Sequence, residues 1–258
     1  MKIAVCVKQV PDTEARIRVA EGGKGIAEGE INWIVSPYDE FAIEEALRIK
    51  EKQGGEVVLV SLGPERAQSA LRNGLAMGAD SALHLKDPLF DATDTFGVAT
   101  ALCAALKTVG ADLILTGQLG VGGDNGQVPG LVAEMLDLPQ VTMAVKIEAQ
   151  DGKATVEREI EGAHETWETS LPAVISAQKG LNEPRYASLK GIMAAKKKTI
   201  EARDAAALGL SAEALAPKTE TVGLELPPPR PAVHMVAGDP DSQSKELLRL
   251  LHEEAKVI

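Results

Sequence analysis

Short apolar segments alternate with helical ones through the part of the chain that precedes Pro139. Ile3–Val7 and Glu56–Leu62 are almost continuously apolar, which is typical of strands covered on both faces of a parallel sheet. Pro37–Gln53 and Thr95–Val109 carry apolar residues at the spacing of one helix face. Strands that alternate with helices are joined by right-handed crossovers. The sequence therefore predicts an α/β fold with a doubly wound, mainly parallel sheet.

The pattern changes after Pro139. Val141–Ala149 and Ala154–Ile160 flank an Asp-Gly pair, which predicts a β-hairpin extension of the sheet. A further strand is expected at Ala173–Ala177, after Pro172.

Periodicity is poor from Ile200 until a helix that we expect at about Ser242–Glu254. We therefore predict an α/β domain at residues 1–200, and a C-terminal arm plus helix at residues 201–258. Such an arm either lies on a neighbouring chain or straps the chain's own domain, and the sequence is compatible with both.

A glycine-rich loop, Gly117–Val128, follows the apolar run Leu113–Leu115 and precedes a helix. Its backbone N–H groups and the positive end of the helix dipole would suit a phosphate. A long turn that needs positive φ angles is the alternative. The loop lacks the Lys-Ser/Thr pair of a P-loop, and Asn125 stands where a dinucleotide fingerprint has its third glycine.

Several functional classes are disfavoured. A net charge of −11 argues against nucleic acid or an anionic membrane as a partner. Cys6 and Cys103 lie in apolar segments, which favours core roles and a reducing compartment. The four histidines are dispersed, so we predict neither a metal site nor a catalytic centre. The strand-like start and the lack of a bilayer-length apolar run lead us to expect a cytoplasmic protein.

Sequence motifs along the whole chain resemble those of the beta (small) subunit of electron-transfer flavoproteins. They are VCVKQVPD, SPYDEFAIEEALRIKE, VEREIEG at residues 156–162 and LNEPRYASLKGIMAAKKK at residues 181–198. The resemblance implies a heterodimer with an alpha subunit that holds most of one FAD. It also implies electron transfer from acyl-CoA or other flavin dehydrogenases to a quinone reductase, with no acid–base chemistry. The beta subunit would hold AMP structurally in a Rossmann-like adenine-nucleotide-binding domain.

The resemblance also implies which residues contact the AMP. Matched by position, they are Cys6, Ser36, Pro37, Tyr38, Asp39, Leu62, Gly117, Gln118, Leu119, Gly120, Val121, Gly122, Gly123, Asp124, Asn125, Gly126, Gln127 and Val128.

Partner docking is assigned in the same way. Leu189 matches the family's anchor leucine, and Glu159 matches a glutamate that tunes partner release. Tyr186, Ile192 and Met193 share the recognition loop at residues 181–198 with that leucine. The C-terminal arm would then pack on the alpha subunit.

Two differences from the pattern of respiratory members leave two candidates for the nucleotide bound by this chain. Gly122-Gly123-Asp124 replaces the Asp-Asp-Asp run of many respiratory members, and Thr13 replaces a tyrosine that approaches the flavin. The sequence is more similar here to electron-bifurcating relatives, which hold a second FAD instead of AMP. AMP is preferred, with a second FAD as the alternative.

Two more distant alternatives are an adenylating enzyme and a nucleotide-sensing stress protein. Val7–Pro11 lacks the pyrophosphate loop that the enzyme would need. The stress protein would be expected to dimerise with itself.

Overall fold

A nine-stranded, mainly parallel sheet forms the centre of the fold in a computed structural model that describes residues 1–258. In sheet order its strands are β11 (Ile200–Arg203), β5 (Ser81–Leu85), β4 (Glu56–Leu62), β1 (Lys2–Cys6), β6 (Leu113–Gly117), β10 (Ala173–Ala177), β7 (Gln140–Gln150), β8 (Lys153–Ile160) and β9 (Ala163–Ser170). The strands from β11 to β7 are parallel to their neighbours, whereas β8 and β9 are antiparallel. A separate antiparallel pair joins β2 (Gln9–Pro11) to β3 (Trp33–Val35). The predicted α/β fold is confirmed.

Helices lie between the strands. They are α1 (Pro37–Gln53), α2 (Gln68–Met77), α3 (Pro88–Asp91), α4 (Thr95–Val109), α5 (Val128–Leu136), α6 (Leu189–Lys197) and α7 (Pro240–Arg249), which continues into a π turn (Leu250–Glu254). Helix α1 shows how the sequence marks the first and last residues of a helix. Pro37 occupies the first turn and Gly54, with φ of +76°, ends the helix.

Both faces of the sheet are covered by apolar layers. Side chains of β1 alternate between the two layers, with Val5 in the layer that includes α1 and α2 and Ala4 in the layer that includes α4 and α5. Ile43 of α1 and Leu106 of α4 are examples of the helical contribution to each layer. Burial on both faces explains the continuous apolar runs that the sequence shows.

Two elements differ from the expected pattern between residues 139 and 198. The predicted hairpin is present as β7 and β8, and β9 adds a third antiparallel strand that pairs with β8 along its whole length. The recognition loop is irregular only as far as Ser188, and Leu189 is the first residue of α6 rather than a loop residue.

The chain divides into two compact units, Met1–Gly223 and Leu224–Ile258. This division differs from the expected boundary after residue 200, because β11 pairs with β5 and because Ala205 and Leu215 are buried in the core. Residues 201–223 therefore belong to the α/β unit. The second unit contains α7 and the π turn and has no buried residue. None of the helices has the length and apolar character that crossing a bilayer requires.

Candidate functional site

A cavity of about 930 Å³ opens where β1, β4 and β6 end. The strand order reverses between β1 and β6, since β4 follows on one side of β1 and β6 lies on the other. Ligands of open α/β sheets bind at such a switch point, outside the carboxyl ends of the strands. The cavity is therefore the primary candidate for a binding site.

Most of the predicted nucleotide contacts line this cavity. They are Cys6, Asp39, Leu62, Gly117, Leu119, Gly120, Gly123, Asp124, Asn125, Gly126, Gln127 and Val128. The remaining six, Ser36, Pro37, Tyr38, Gln118, Val121 and Gly122, are not part of its lining. Ser36 is fully buried, and its hydroxyl donates to the carbonyl of Leu119 at 3.4 Å. This hydrogen bond supports the glycine loop from outside the cavity lining.

Asp39 connects the two strands at the switch point. Its carboxylate accepts the backbone N–H of Lys8 at 2.7 Å and the backbone N–H of Gly117 at 2.9 Å. Burial raises the pKa of Asp39 to about 7, although these hydrogen bonds and the nearby Lys8 charge act in the opposite direction. The side chain fixes the ends of β1 and β6 relative to each other.

Gly117 is required at this junction by close packing. A Cβ atom there would lie 2.3 Å from Oδ1 of Asp39 and 2.7 Å from Cβ of Tyr38. No side chain can occupy that space without moving the start of α1, so the crevice depends on a glycine at the end of β6.

The loop beyond Gly117 presents backbone donors to the cavity. The N–H groups of Asn125, Gly126 and Gln127 have no acceptor within the protein, and no side chain caps α5. Lys8 packs against the same loop, since a Cβ atom on Gly120 would lie 2.9 Å from the Lys8 ammonium. Lys8 forms no salt bridge, so a positive charge and free N–H groups share one wall.

The opposite wall was not predicted. It comes from residues 91–95, where α3 ends and α4 begins, and from residues 217–221 of the segment that follows β11. Asp94 joins the two segments. Its Oδ1 accepts N–H groups of the first turn of α4, while its Oδ2 accepts the N–H of Lys218 at 2.6 Å and the N–H of Thr219 at 2.9 Å.

An adenosine phosphate fits the donor set of this cavity. Thr116 is one of its lining residues, and the buried hydroxyl of Thr116 has no hydrogen-bond partner within the protein. A buried hydroxyl without a partner is unfavourable, and a ligand polar group would satisfy it. The free N–H groups and Lys8 would face the phosphate, where their charges are favourable.

The predicted docking residues lie in α6, in the irregular stretch before it, and in β8. Tyr186 and Leu189 are 98% and 84% exposed, and Ile192 and Met193 extend the same apolar surface along α6. Exposure of four large apolar side chains in one short segment is unusual for a surface with no partner. Glu159 lies instead in β8, opposite His164 of β9.

The fold is that of an α/β protein with a mainly parallel sheet, and its cavity lies at the switch point of that sheet. Comparison with known proteins identifies the family. The family model for the electron transfer flavoprotein domain matches residues 24–208. The electron transfer flavoprotein subunit beta of Bacillus subtilis is 44% identical over the full length of both chains. The subunit beta of Syntrophomonas wolfei is 42% identical and covers all of this chain and 98% of the relative, and that of Sus scrofa is 38% identical with 100% and 99% covered. The chain belongs to the electron transfer flavoprotein family, among its beta subunits.

Proposed function

We propose that the chain pairs with an alpha subunit to form a single-electron carrier, and that its own cavity holds AMP. The carrier accepts electrons from acyl-CoA or other flavin dehydrogenases and passes them to a quinone reductase. FAD, held mainly by the alpha subunit, supplies the redox chemistry when bound. We expect this subunit to contribute binding and docking surfaces rather than acid–base groups, and we expect the carrier to work in the cytoplasm.

The cavity at the switch point is the observation that carries the AMP assignment. Free N–H groups of the glycine loop, Lys8 and the unpartnered Thr116 hydroxyl are matched by a phosphate and by the polar edges of an adenosine. These groups would bind and orient the nucleotide, and we assign it a structural role.

A second FAD in place of AMP is the alternative that a specific observation favours. The volume of about 930 Å³ is near the upper end of the range for small-molecule sites, roughly 300–1,000 Å³. Residues 91–95 and 217–221 also line the cavity, so its volume is bounded by more than the glycine loop. That volume would suit a ligand longer than a mononucleotide.

Nucleotide stoichiometry tests both assignments. The chain would be co-expressed with an alpha subunit from the same organism, and nucleotides released from the purified heterodimer by denaturation would be quantified. One FAD and one AMP per heterodimer are expected. Two FAD without AMP would replace AMP by the second flavin, and one FAD with no other nucleotide would overturn the assignment of this cavity.

Leu189 is the proposed anchor for the partner dehydrogenase. Burial of a leucine side chain contributes about 1.5–3 kcal/mol, so Leu189→Ala should raise the KM for the reduced dehydrogenase by roughly tenfold or more. Val222, which is 86% exposed outside the recognition loop, provides the control, and Val222→Ala should leave KM unchanged. Both variants should retain the wild-type nucleotide content. Equal KM values for the two variants would remove the anchor role of Leu189.

A further inference from the structure

The proposed docking residues follow a stretch of chain that has no regular structure. From Asn182 to Ala187 the backbone forms neither helix nor strand, yet it leads directly to the exposed side chains of Tyr186 and Leu189. An apolar anchor on a mobile loop loses conformational entropy when it binds, which weakens association. Contacts elsewhere in the fold must therefore hold this stretch in place if it is to bind efficiently.

Arg185 and Glu44 of α1 form the most complete of these contacts. Nε of Arg185 lies 2.7 Å from Oε2 of Glu44, and its Nη2 lies 3.1 Å from Oε1. The backbone N–H of Arg185 also donates to Oε2 at 3.2 Å. A bidentate guanidinium–carboxylate pair fixes orientation as well as distance, and here it fixes the backbone of the loop too.

Glu44 is buried, with a side chain only 3% exposed. Arg48, one turn further along α1, donates to Oε1 of Glu44 at 2.8 Å. Burial alone would raise the pKa of Glu44, but the hydrogen bonds from Arg185 and Arg48 outweigh it and hold that pKa below its ordinary value. The Glu44 carboxylate is therefore charged. Arg48 and Arg185 of the loop supply the positive charges that compensate it.

Other residues of α1 bind the same stretch. Asn182 donates to the carbonyl of Phe41 at 3.0 Å and to Glu45 at 2.9 Å, and Arg185 also pairs with Glu51. Glu44, Arg48 and Glu51 are spaced by about one turn, so they lie on one face of α1. That face holds the loop from Asn182 to Arg185.

The far end of the segment is fixed by α2. Gly191 of α6 packs so closely on α2 that a Cβ atom would lie 2.2 Å from the carbonyl oxygen of Ala76. Arg72 of α2 donates to the carbonyl of Ala195 at 2.7 Å. The residues between these two attachments, including Tyr186 and Leu189, are held while their side chains remain exposed.

We propose that Glu44 and Arg185 are positioning residues that hold Tyr186 and Leu189 in their docking orientation before a partner arrives. The proposal rests on the docking role proposed for Leu189. Glu44 is too deeply buried to contact a partner, so any effect of Glu44 on docking must act through the position of the loop. Substitution of either Glu44 or Arg185 should therefore raise KM for the partner and leave kcat unchanged.

The test uses the heterodimer and an acyl-CoA dehydrogenase from the same genome, reduced by its acyl-CoA. Arg185→Gln and Glu44→Gln should each raise KM about tenfold with unchanged kcat and nucleotide content. Amide hydrogen exchange in a peptide spanning Tyr186–Met193 should become at least tenfold faster in both variants. Arg185→Lys should recover only part of the loss, because an ammonium cannot make the two-point contact.

Lys50→Gln is the matched control. Lys50 lies on the same helix and pairs with Asp80 at 2.6 Å, but it does not contact the loop. Neither KM nor exchange in Tyr186–Met193 should change in this variant. Equal changes in all three variants would indicate general loosening of α1 and overturn the proposal.

Combination with Leu189→Ala distinguishes positioning from an independent contribution. If Arg185 acts through Leu189, the double variant should have nearly the KM of Leu189→Ala alone, whereas independent effects would multiply. An unchanged KM in Leu189→Ala would overturn the docking function itself. Unchanged exchange in Arg185→Gln would overturn the positioning role even where Leu189→Ala raises KM.

Discussion

Two irregular loops of this protein are fixed in opposite ways. The glycine loop, Gly117–Val128, is held mainly by main-chain contacts, such as the N–H of Asp124 donating to the carbonyl of Gly120 at 3.0 Å. The stretch from Asn182 to Ala187 is held by side chains that reach α1. One loop is rich in glycine, which lets its backbone face a ligand. The other loop uses charged side chains so that its apolar groups can face outward.

Both loops depend on α1. Asp39, in the first turn, holds Gly117, and Glu44 holds Arg185 less than two turns later. Both carboxylates are buried, but their environments differ. Asp39 is paired mainly with backbone N–H groups, whereas Glu44 has two arginine partners. Variants of each site should therefore separate nucleotide binding from docking.

The largest effect is expected at Gly117. Gly117→Ala places a Cβ atom 2.3 Å from Asp39 Oδ1, and relief of that overlap should cost on the order of 3 kcal/mol of unfolding free energy. The nucleotide of the cavity should be lost from the purified heterodimer. KM for the reduced dehydrogenase should stay within about twofold of wild type. A large rise in KM would show that the two loops are coupled.

Gly123 provides the control for this variant. A Cβ atom at Gly123 would meet the nearest side-chain atom, Nζ of Lys8, at 3.7 Å, which is an ordinary contact. Gly123→Ala should therefore retain the nucleotide. Loss from both variants would mean that the loop needs glycine for flexibility rather than for the contact with Asp39.

A smaller effect is expected on the docking side. Gly191→Ala would push α6 away from the carbonyl of Ala76, at a cost of about 2 kcal/mol. KM for the dehydrogenase should rise several-fold, and the nucleotide content should remain at the wild-type value. Nucleotide loss in this variant would contradict the separation of the two sites.

The smallest effect concerns pH. The pKa of Asp39 is about 7 in the folded protein and 3.8 as the reference for the unfolded chain, so between these values the folded state binds the additional proton. Stability from this group is therefore lost as pH rises, by about 1 kcal/mol between pH 6 and pH 8. Denaturant titrations should show this loss in the wild type and not in Asp39→Asn.

Glu44 should show no such dependence in the same pH range. Its pKa is lowered, so its contribution is complete above the unfolded value and is lost only on acidification. Glu44→Gln should therefore keep the wild-type slope between pH 6 and pH 8. Identical slopes in wild type and Asp39→Asn would show that Asp39 does not titrate between pH 6 and pH 8.

Much of the fold could be predicted because buried strands and capped helices leave strong local patterns. Helix α4, for example, has the predicted limits, Thr95–Val109. Strand β9 was missed because it is a sheet edge that is largely exposed, so its sequence, AHETWETS, shows little apolar alternation. Helix α6 was readable in principle, since Ser188 caps it and Leu189, Ile192 and Met193 are spaced as on one helix face.

Only one part of the cavity, the glycine loop, could be predicted from the sequence. The glycine loop is local and could be located from its composition. The wall made by Asp94 and Lys218 joins segments 124 residues apart, and nothing in either segment indicates the other. Lys8 lies in a motif that was recognised, but only the fold shows that its side chain packs against Gly120.

The bridge from Asp39 to Gly117 has a consequence for synthesis of the chain. Its partners are β1, α1 and β6, so a ribosome must release the chain past residue 128 before the crevice and its glycine loop exist. A nascent chain shorter than that has no cavity to fill. Residues 217–221 also line the cavity, so nucleotide capture requires almost the whole α/β unit, and premature termination before β6 yields a product that cannot be rescued by adding nucleotide.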